Sequence, residues 1–438
     1  MEGFKKYFSK LMIDIALIRE KPELIISDLK KRGKEELIPL VSKIVRLDSE
    51  WRNILRREEE LRHERNKVTQ EIANLLRNGK DVTHIKAKAK EISEQIKNLQ
   101  EKRKALKKEI HSLILWLPNI THPSVPVGMS EEDNEVIRVW GEKPAFSFKP
   151  RDHIELGLAL DLFDIERAAK TSGSRFYFLK NEAVLLEFAL VNFTFKILQE
   201  EGFKLIIPPV LVSRKIMEGA GFLPSGEEDV YKIKDEDLYL VGTAEVPLAG
   251  LHADEILDEN RLPLYYAGFS SCFRTEAGSH GRDTKGIFRV HQFDKIEMFK
   301  YTTPETSWEE HEKLIRTAER IYRELGIPYR VVNVCSGELG FTAAKKYDIE
   351  AWLPGQNKYR EIVSCSNCTD YQARRLNIRC RKKPNEKPRF VHTLNSTACA
   401  IERTIIAIIE NYQQEDRSIR IPKPLVPYMD GVKEITPK

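Results

Sequence analysis

Apolar residues recur at alternating steps of three and four positions in two runs near the start of the chain. The first run comprises Ile44, Leu47, Trp51, Ile54, Leu61, Val68, Ile72 and Leu75, with the polar residues Glu58 and Arg65 at two further steps, and the second comprises Ile85, Ala89, Ile92, Ile96, Leu99, Leu106, Ile110 and Leu113, with Arg103 at one further step. Such spacing is typical of coiled-coil helices, and the stretch between the runs, Asn78 to Asp81, favours a turn. The pattern predicts two helical arms, at about 44–77 and 83–114.

The two runs match in register when the chain folds back at that turn. Antiparallel pairing places Leu61 opposite Leu99 and the polar residue Glu58 opposite Arg103, which predicts an ion pair inside an apolar seam. At 1.5 Å per residue such a hairpin would project about 45 Å. Pairing with a second chain, as in a dimeric coiled coil, is the alternative interpretation.

From Pro118 onwards, strand-like and helical segments alternate between Pro and Gly residues. Helical spacing covers 182–201, and the apolar stretch 203–212, which contains two prolines, is predicted to be a strand at a sheet edge. We therefore expect a helical N-terminal domain over 1–117 and a mixed domain of helices and strands over 118–438.

Positive charge is concentrated in the predicted hairpin. Residues 46–116 contain 18 Lys and Arg against 12 Asp and Glu, a net charge of +6, whereas the whole chain carries +5. A basic segment of this kind is suited to a polyanion, although a solvated helical surface has the same composition.

The overall composition, 41% hydrophobic and 32% charged, is typical of a globular protein. No apolar run approaches the ~20 residues that span a bilayer, and the N-terminus lacks a signal-peptide pattern, so we expect a cytoplasmic protein with no membrane partner. Six cysteines are too few for a disulfide framework, and Cys365 and Cys368 form the single CxxC, so no structural zinc is expected.

The stretch from Phe273 to Glu297 combines a cation, carboxylates and an aromatic ring around a loop between two predicted strands, the second beginning near Ile287 and ending at Glu297. A hairpin connection is predicted at the loop residues Gly278, Ser279, Gly281 and Asp283. Arg274 has the planar fork that binds phosphate or carboxylate, Glu276 can accept from an exocyclic amine, and Phe293 can stack on a base. A surface hairpin with a salt bridge explains the same residues equally well.

A second polar cluster follows the strand-like stretch DLYLV, where Thr243 and Glu245 bring a hydroxyl and a carboxylate close together. A helix N-cap alone would account for this pair. Histidines that lie in polar stretches of the sequence, such as His252 and His311, are interpreted as surface residues. The chain contains neither GxxxxGK nor GxGxxG, so P-loop and Rossmann nucleotide sites are unsupported.

Several of these segments resemble, in order, the motifs of one enzyme family. The region 182–212 resembles motif 1 of the class II aminoacyl-tRNA synthetases, and Phe273–Glu297 resembles motif 2 in the form found in the seryl-tRNA synthetases. The triplet Thr243–Glu245 is similar to the amino-acid loop of that family. Arg360–Cys368 resembles its metal and nucleotide strand, and HTLNSTACAIER, which ends at Arg403, resembles motif 3.

This resemblance implies an α+β fold, in which an N-terminal antiparallel helical coiled-coil hairpin precedes a class II catalytic domain built on an antiparallel sheet flanked by helices. It implies a ligase that activates L-serine with ATP and Mg²⁺ to seryl-adenylate and transfers the seryl group to tRNA(Ser). Charging of tRNA(Sec) is left open. The basic hairpin would bind the tRNA, and the region around 182–212 would form a homodimer.

The resemblance also assigns roles to residues. Arg274 and Arg403 would be the catalytic cations, and Glu361 and Ser364 would hold Mg²⁺. Residues implied to bind serine are Thr243, Ala244, Glu245, Arg274, Glu297 and Thr397. Residues implied to bind ATP are Arg274, Thr275, Glu276, Val290, Phe293, Glu361, Ile362, Val363, Ser364 and Arg403. Glu297 would accept from the serine hydroxyl, because a site built for a hydroxyl rejects alanine by leaving its own groups unpaired.

One position departs from the glycine-rich form of motif 3, because Glu402 stands where that form has Gly, as in archaeal and eukaryotic versions. Three alternatives stay open. A paralogue that loads an amino acid onto a carrier protein would lack the long hairpin, and a non-catalytic relative would have lost some of the five residues Arg274, Glu276, Glu297, Glu361 and Arg403. A zinc-dependent seryl enzyme would contain stoichiometric metal.

Overall fold

The computed structural model describes residues 14–277, 283 and 285–437. Within this part of the chain, two compact units divide between Leu117 and Pro118. We call residues 14–117 the hairpin unit and the described residues from 118 onwards the sheet unit. No helix in the described ranges combines the length and apolar character needed to cross a bilayer.

In the hairpin unit, two short helices precede two long ones. Their bounds are Ile15–Glu20 (α1), Pro22–Lys31 (α2), Ile38–Arg77 (α3) and Thr83–Ile114 (α4). α3 and α4 occupy the positions of the predicted arms, but α3 begins before residue 44 because Pro39 is tolerated in its first turn, where a missing N–H costs nothing. Gly79 takes a positive φ of 65° in the turn between them.

The seam between α3 and α4 contains the predicted ion pair. Around it the buried apolar residues are Leu61, Val68, Ile92 and Ile96. Glu58 is 1% exposed and accepts hydrogen bonds from Arg103 Nε at 2.9 Å and Gln100 Nε2 at 3.0 Å. Burial opposes ionisation, but these donors together with Arg62 hold the pKa of Glu58 below its usual value. The Glu58–Arg103 pair is therefore confirmed.

The sheet unit contains one large sheet and several small ones. Its strands are β1 (Glu135–Trp140), β2 (Phe163–Asp164), β3 (Phe178–Leu179), β4 (Lys204–Ile206), β5 (Leu211–Ser213), β6 (Leu238–Leu240), β7 (Ile256–Asp258), β8 (Leu264–Phe273), β9 (Gln292–Thr302), β10 (Tyr329–Asn333), β11 (Lys345–Leu353), β12 (Lys358–Asn367), β13 (Arg379–Arg381), β14 (Arg389–Phe390), β15 (His392–Ala400), β16 (Ile419–Arg420) and β17 (Glu434–Ile435). The large sheet has the order β1-β10-β11-β12-β15-β9-β8-β4, and only the β4–β8 pair in it is parallel.

Helices cover this sheet and complete the core. Their bounds are α5 (His153–Ala159), α6 (Ile165–Ser172), α7 (Glu182–Glu200), α8 (Arg214–Ala220), α9 (Glu245–Gly250), α10 (Ser307–Glu324), α11 (Tyr371–Leu376) and α12 (Ile401–Asn411). α7, α10 and α12 share the main apolar core with the large sheet, while α8, α9 and α11 form a second core with residues of β8 and β9. The predicted class, helices flanking a largely antiparallel sheet after a helical hairpin, is confirmed.

The stretch 203–212, predicted as one strand, forms two. Pro208 and Pro209 interrupt it because neither has a backbone N–H to donate to a ladder. β4 precedes them and pairs with β8 at the edge of the large sheet, whereas β5 follows them and pairs with β6. The expected edge position is confirmed for β4.

The interpretation of His311 as a surface residue is wrong. It is 1% exposed in α10, with Nε2 3.1 Å from the Cys365 carbonyl oxygen and its ring stacked on Tyr347. Burial lowers the pKa of His311 to about 4, so the ring is neutral. The acidic residues on either side of it are themselves bonded inside the protein, because Glu310 is 3% exposed and pairs with Lys300, and Glu312 accepts from the Tyr347 hydroxyl. His252 is half-buried, with Nε2 3.0 Å from the Tyr266 hydroxyl.

Candidate active site

A cavity of about 230 Å³ brings together predicted residues from separate stretches of the chain. The predicted residues that line it are Arg274, Glu276, Val290, Phe293, Glu361, Ile362, Ser364, Thr397 and Arg403. The unpredicted ones are Ile287, Phe288, Arg289, Lys295, Ala400 and Glu402. Several cations and two aromatic rings in one cavity suit an anionic ligand that also carries a flat ring.

Three polar or aromatic residues of β9 face the site from the same side of the strand. Phe293, Lys295 and Glu297 are two residues apart, so their side chains leave the same face of the strand. Ile296 and Met298 leave the other face and are buried in the main core. β9 starts at Gln292 rather than near Ile287, and Glu297 lies within it rather than at its end, which corrects the predicted bounds.

Arg274 follows the last residue of β8 and is held from two sides. Its Nε donates to the Gly242 carbonyl at 3.2 Å, and Cζ lies 5.2 Å from the centroid of the Phe293 ring. Neither Nη atom of Arg274 donates a hydrogen bond to any described residue, and the fork is therefore available to a ligand.

The segment Gly242–Glu245 packs directly on β8 because Gly268 has no side chain there. A Cβ at Gly268 would lie 3.2 Å from Ala244 Cβ and 3.0 Å from Leu248 Cδ1. Ala244, the residue of this segment that lies next to Gly268, is accordingly fully buried. This close approach carries Thr243 to the face of the sheet where Glu297 lies.

Glu297 is a buried carboxylate with a cation and a hydroxyl beside it. It is 1% exposed, Lys295 Nζ lies 2.6 Å from its Oε2, and Thr243 Oγ1 donates to the same oxygen at 3.4 Å. In the sheet it stands directly opposite Thr397 of β15. Lys295 was missed by sequence reasoning, although its two-residue spacing from Phe293 and Glu297 would have indicated it.

Glu245 is held by two side chains that sequence reasoning also missed. Its Oε1 accepts from Gln372 Nε2 at 2.7 Å and from Asn395 Nδ2 at 3.0 Å. Its backbone N–H donates to Thr243 Oγ1 at 3.2 Å, but the N-cap of α9 is Ala244, so the interpretation of Thr243 as the N-cap is wrong. Burial, reinforced by the nearby charge of Glu297, raises the pKa of Glu245 to about 7.

Two β-bulges aim the residues of β12 and β15. Glu361 and Ser364 are three apart, and in a regular strand they would face opposite sides of the sheet. Pairing with β11 shifts at this point, so the extra residue Ile362 restores a common side for both. The shift between Thr397 and Cys399 in β15 does the same for Thr397 and Ala400.

Arg403, in the first turn of α12, closes the cavity beside β12. Its Nη1 donates to the Glu361 carbonyl at 3.0 Å and lies 3.4 Å from Glu361 Oε1. Its Cζ lies 4.7 Å from the centroid of Phe288, whose ring also faces Arg360. The Glu361 side chain is 49% exposed, so burial opposes its ionisation only in part, and the charges of Arg403 and Lys346 hold the pKa of its carboxyl below the usual value.

The residues predicted to hold Mg²⁺ have a further oxygen next to them. Asp348 stands opposite Ser364 in the β11–β12 ladder, is 7% exposed, and its Oδ1 has no hydrogen-bond partner among the described residues. Its Oδ2 lies 3.4 Å from Lys346 Nζ. Hard oxygen donors with one orphaned atom fit a magnesium ion. No group of three or more His, Cys, Asp or Glu that could hold a metal is found in the described ranges.

Some predicted residues lie apart from the cavity or are already paired. Thr275 donates its hydroxyl to the Glu228 carbonyl, and Val363 is fully buried in the main core, so only its backbone could meet a ligand. Glu276, with a positive φ of 53°, accepts from Arg289 Nη1 at 2.8 Å. Of the predicted loop, Gly278, Ser279 and Gly281 lie outside the described residues, whereas Asp283 accepts from Arg360 Nη2 at 2.5 Å.

Comparison with known proteins places this geometry in a family. The tRNA synthetase class II core domain (G, H, P, S and T) matches residues 231–412, and the Seryl-tRNA synthetase N-terminal domain matches residues 12–121. The serine–tRNA ligase of Pyrococcus horikoshii is 54% identical over 97% of this chain and 98% of its own.

Two solved structures extend the match to three dimensions. The seryl-tRNA synthetase from Pyrococcus horikoshii complexed with ATP has a TM-score of 0.94, with 53% identity over 97% of this chain and 100% of its own. The cytoplasmic serine–tRNA ligase from Naegleria fowleri in complex with AMP has a TM-score of 0.88, with 36% identity over 98% of this chain and 99% of its own. The chain therefore belongs to the seryl-tRNA synthetases, the class II aminoacyl-tRNA synthetases that act as serine–tRNA ligases.

Proposed function

We propose that this enzyme works in the cytoplasm in two steps, with L-serine, ATP and tRNA(Ser) as substrates. A carboxylate oxygen of serine attacks the α-phosphorus of ATP, which forms seryl-adenylate and releases pyrophosphate. A hydroxyl of the terminal ribose of the tRNA then attacks the seryl carbonyl carbon, and AMP leaves. The single observation that carries this proposal is Glu297, buried beside Thr243 and Lys295 next to a cationic cavity.

Serine would be selected by groups that are costly to leave unpaired. Glu245, together with Thr243, would bind the ammonium group, and Glu297 would accept from the side-chain hydroxyl with Thr397 opposite it. Alanine has no hydroxyl group to donate to Glu297, and a site built to hydrogen-bond a hydroxyl penalises that loss heavily. Threonine would add a methyl group to an already filled pocket.

ATP would lie in the cavity, and nucleotide binding is supported by the relatives, since the Pyrococcus structure is a complex with ATP and the Naegleria structure a complex with AMP. Phe293 and Arg403 would take the two faces of adenine, and Glu276 would accept from its amino group. Attack of a carboxylate on a phosphate brings two anions together. Arg274 and Arg403 would offset that repulsion by fixed positive charge, without a covalent enzyme intermediate or a protein general base.

Glu361 and Ser364 would hold Mg²⁺, with the orphaned Asp348 oxygen beside them. When bound, the ion would neutralise phosphate charge and fix the geometry of the triphosphate. The surrounding cations supply the remaining positive charge around the phosphates, and no zinc is expected.

The test of the activation step is serine-dependent exchange of pyrophosphate into ATP. Arg274→Ala should lower the exchange rate by about a thousandfold or more, because the cation stabilises charge that develops at the α-phosphate. Arg261→Ala, which changes an exposed arginine of the same unit, is the matched control and should exchange normally. Near-normal exchange by Arg274→Ala would reject the assignment.

The domain 1–117 would bind tRNA through a lysine stripe on α4. Its members are Lys86, Lys90, Lys97, Lys104 and Lys108, and all are exposed. Spacings of four and seven residues place them on one side of the helix. Lys88 and Lys102 pair with α3 carboxylates, whereas no stripe lysine is in an ion pair with a described residue. A row of such cations suits a phosphate backbone, and the domain 118–438 would carry both chemical steps. Charging of tRNA(Sec) can be decided by measuring the attachment of serine to that tRNA.

The region 182–212 would form a homodimer. Large apolar side chains are exposed on α7 and beside β4, where Phe188 is 58% exposed and Ile207 is 79% exposed. Leu185 is 43% exposed on the same helix. Apolar groups clustered at the edge strand of a sheet are typical of a surface that another subunit covers.

A further inference from the structure

Glu402 is the buried acidic residue that departs from the glycine-rich form of motif 3. It lies in the first turn of α12, directly before Arg403, and is 3% exposed. Both residues line the cavity. A carboxyl group that is so deeply buried needs hydrogen-bond donors around it, and those donors show which parts of the structure it connects.

One of the two donors lies in β9, which carries the other wall of the cavity, and the second is Tyr177. The backbone N–H of Asp294 donates to both carboxylate oxygens of Glu402, at 2.9 Å to Oε1 and 3.2 Å to Oε2, and the Tyr177 hydroxyl donates to Oε1. Asp294 stands between Phe293 and Lys295. The contact therefore joins the start of α12 to the part of β9 that faces the ligand.

The sheet explains why this link is needed. β15 pairs with β9 only as far as Ala400 and Lys295, because the chain then turns into α12. Asp294 is one residue nearer the start of β9, and its N–H has no strand partner on the side where β15 lies. Glu402 accepts from it, and so continues the hydrogen bonding of the sheet past the end of β15 with a side chain.

We propose that Glu402 is a positioning residue that fixes the first turn of α12 against the start of β9, so that Arg403 and Phe293 stay correctly spaced for an adenine ring. This inference rests on the ATP site proposed above. A glycine at this position would leave the Asp294 N–H unsatisfied and would let the two walls move apart. A glutamine would keep an acceptor oxygen, and since burial raises the pKa of Glu402 to about 8, a neutral amide resembles the native group at pH 7.

The test is calorimetric titration of the full-length protein with ATP and with AMP. Glu402→Gly should weaken the binding of both nucleotides by about tenfold, because they share adenine, and Glu402→Gln should stay within about threefold of the unaltered protein. Tyr177→Phe, which removes one donor and keeps the ring, should show a smaller loss of about threefold. If Glu402→Gly does not fold, Tyr177→Phe decides: weaker binding of both ATP and AMP supports the inference, and unchanged binding of both overturns it.

Glu410→Gln is the matched control. Glu410 is a fully buried carboxylate at the other end of α12, and it accepts from the backbone N–H groups of His153 and Gly355 at 3.1 and 2.9 Å. Its substitution should lower thermal stability without changing nucleotide affinity.

The inference is overturned if Glu402→Gly binds ATP and AMP normally, if only ATP binding weakens, or if Glu410→Gln weakens nucleotide binding as much. Failure of the proposed function is distinct, because it would appear as absent serine-dependent exchange in a protein that still binds ATP.

Discussion

At the scale of single residues, Glu245 connects burial most directly to function. Its pKa of about 7 results mainly from burial and from the neighbouring charge of Glu297. The proposed partner, the ammonium group of serine, binds the carboxylate and not the neutral acid. Gln372 and Asn395 orient the carboxylate in either state.

We therefore predict that the activity of the enzyme with serine falls when the pH is lowered below about 7. The ratio kcat/KM for serine should be constant above the pKa of about 7 and should fall by about tenfold per pH unit below it. Glu245→Gln should be much less active with serine and should lack this step in its pH profile. A serine profile that stays flat to about pH 5.5 would contradict the role of Glu245.

Individual site residues differed in how far the sequence could predict them. Arg274 and Glu297 lie in a recognisable motif, and the alternation of a strand would also have indicated Lys295. Gln372 carried no local signal, because it reaches Glu245 from a helix more than a hundred residues further along the chain. Glu402 could be recognised as unusual, but its contact with Asp294 exists only in the folded sheet.

At the scale of elements, the sequence pattern predicted the features that depend on residues close together in the chain. The heptads predicted the hairpin and its Glu58–Arg103 pair, since both depend on helix periodicity and on the turn that joins the two runs. Bulges were not predictable, because the shift at Ile362 depends on which strand lies beside it. A regular β12 would have turned Glu361 and Ser364 to opposite sides of the sheet.

The lysine stripe of α4 gives a prediction at this scale. Reversing three charges, with Lys90→Glu, Lys97→Glu and Lys104→Glu combined, should raise KM for tRNA by about tenfold or more at low salt. Aminoacylation should also become less salt-dependent, with the slope smaller by about one for each phosphate group that the variant no longer binds. Serine-dependent pyrophosphate exchange should be unchanged, since it needs no tRNA.

The control for this variant is an equal charge change elsewhere, with exposed Lys149, Lys170 and Lys433 of the sheet unit converted to Glu. It should leave KM for tRNA close to normal. Normal charging of tRNA by the stripe variant, or an equally raised KM in the control, would reject the stripe as the tRNA-binding surface.

At the scale of the whole molecule, the order of strands was beyond local prediction. β12 pairs with β15 and not with the strands that follow it directly, a choice that only long-range packing makes. The family resemblance supplied the class II architecture, because periodicity alone indicated only alternating helices and strands.

The exposed apolar surface of α7 and β4 predicts an assembly of two chains. Light scattering should give twice the chain mass of 50.8 kDa, and Phe188→Glu with Ile207→Glu should give monomers, because buried charges oppose association. Val139→Glu, which changes a residue 63% exposed on β1 at the opposite sheet edge, should remain dimeric. A monomeric unaltered protein would contradict the proposed interface.

The most direct test of the whole account is pyrophosphate exchange by the unaltered enzyme with serine, threonine, alanine and glycine in turn. Serine alone should support exchange, and alanine should be rejected by a factor of about a thousand or more, because it has no hydroxyl group to donate to Glu297. Comparable exchange with any of the other three amino acids, or none with serine, would contradict the proposed site.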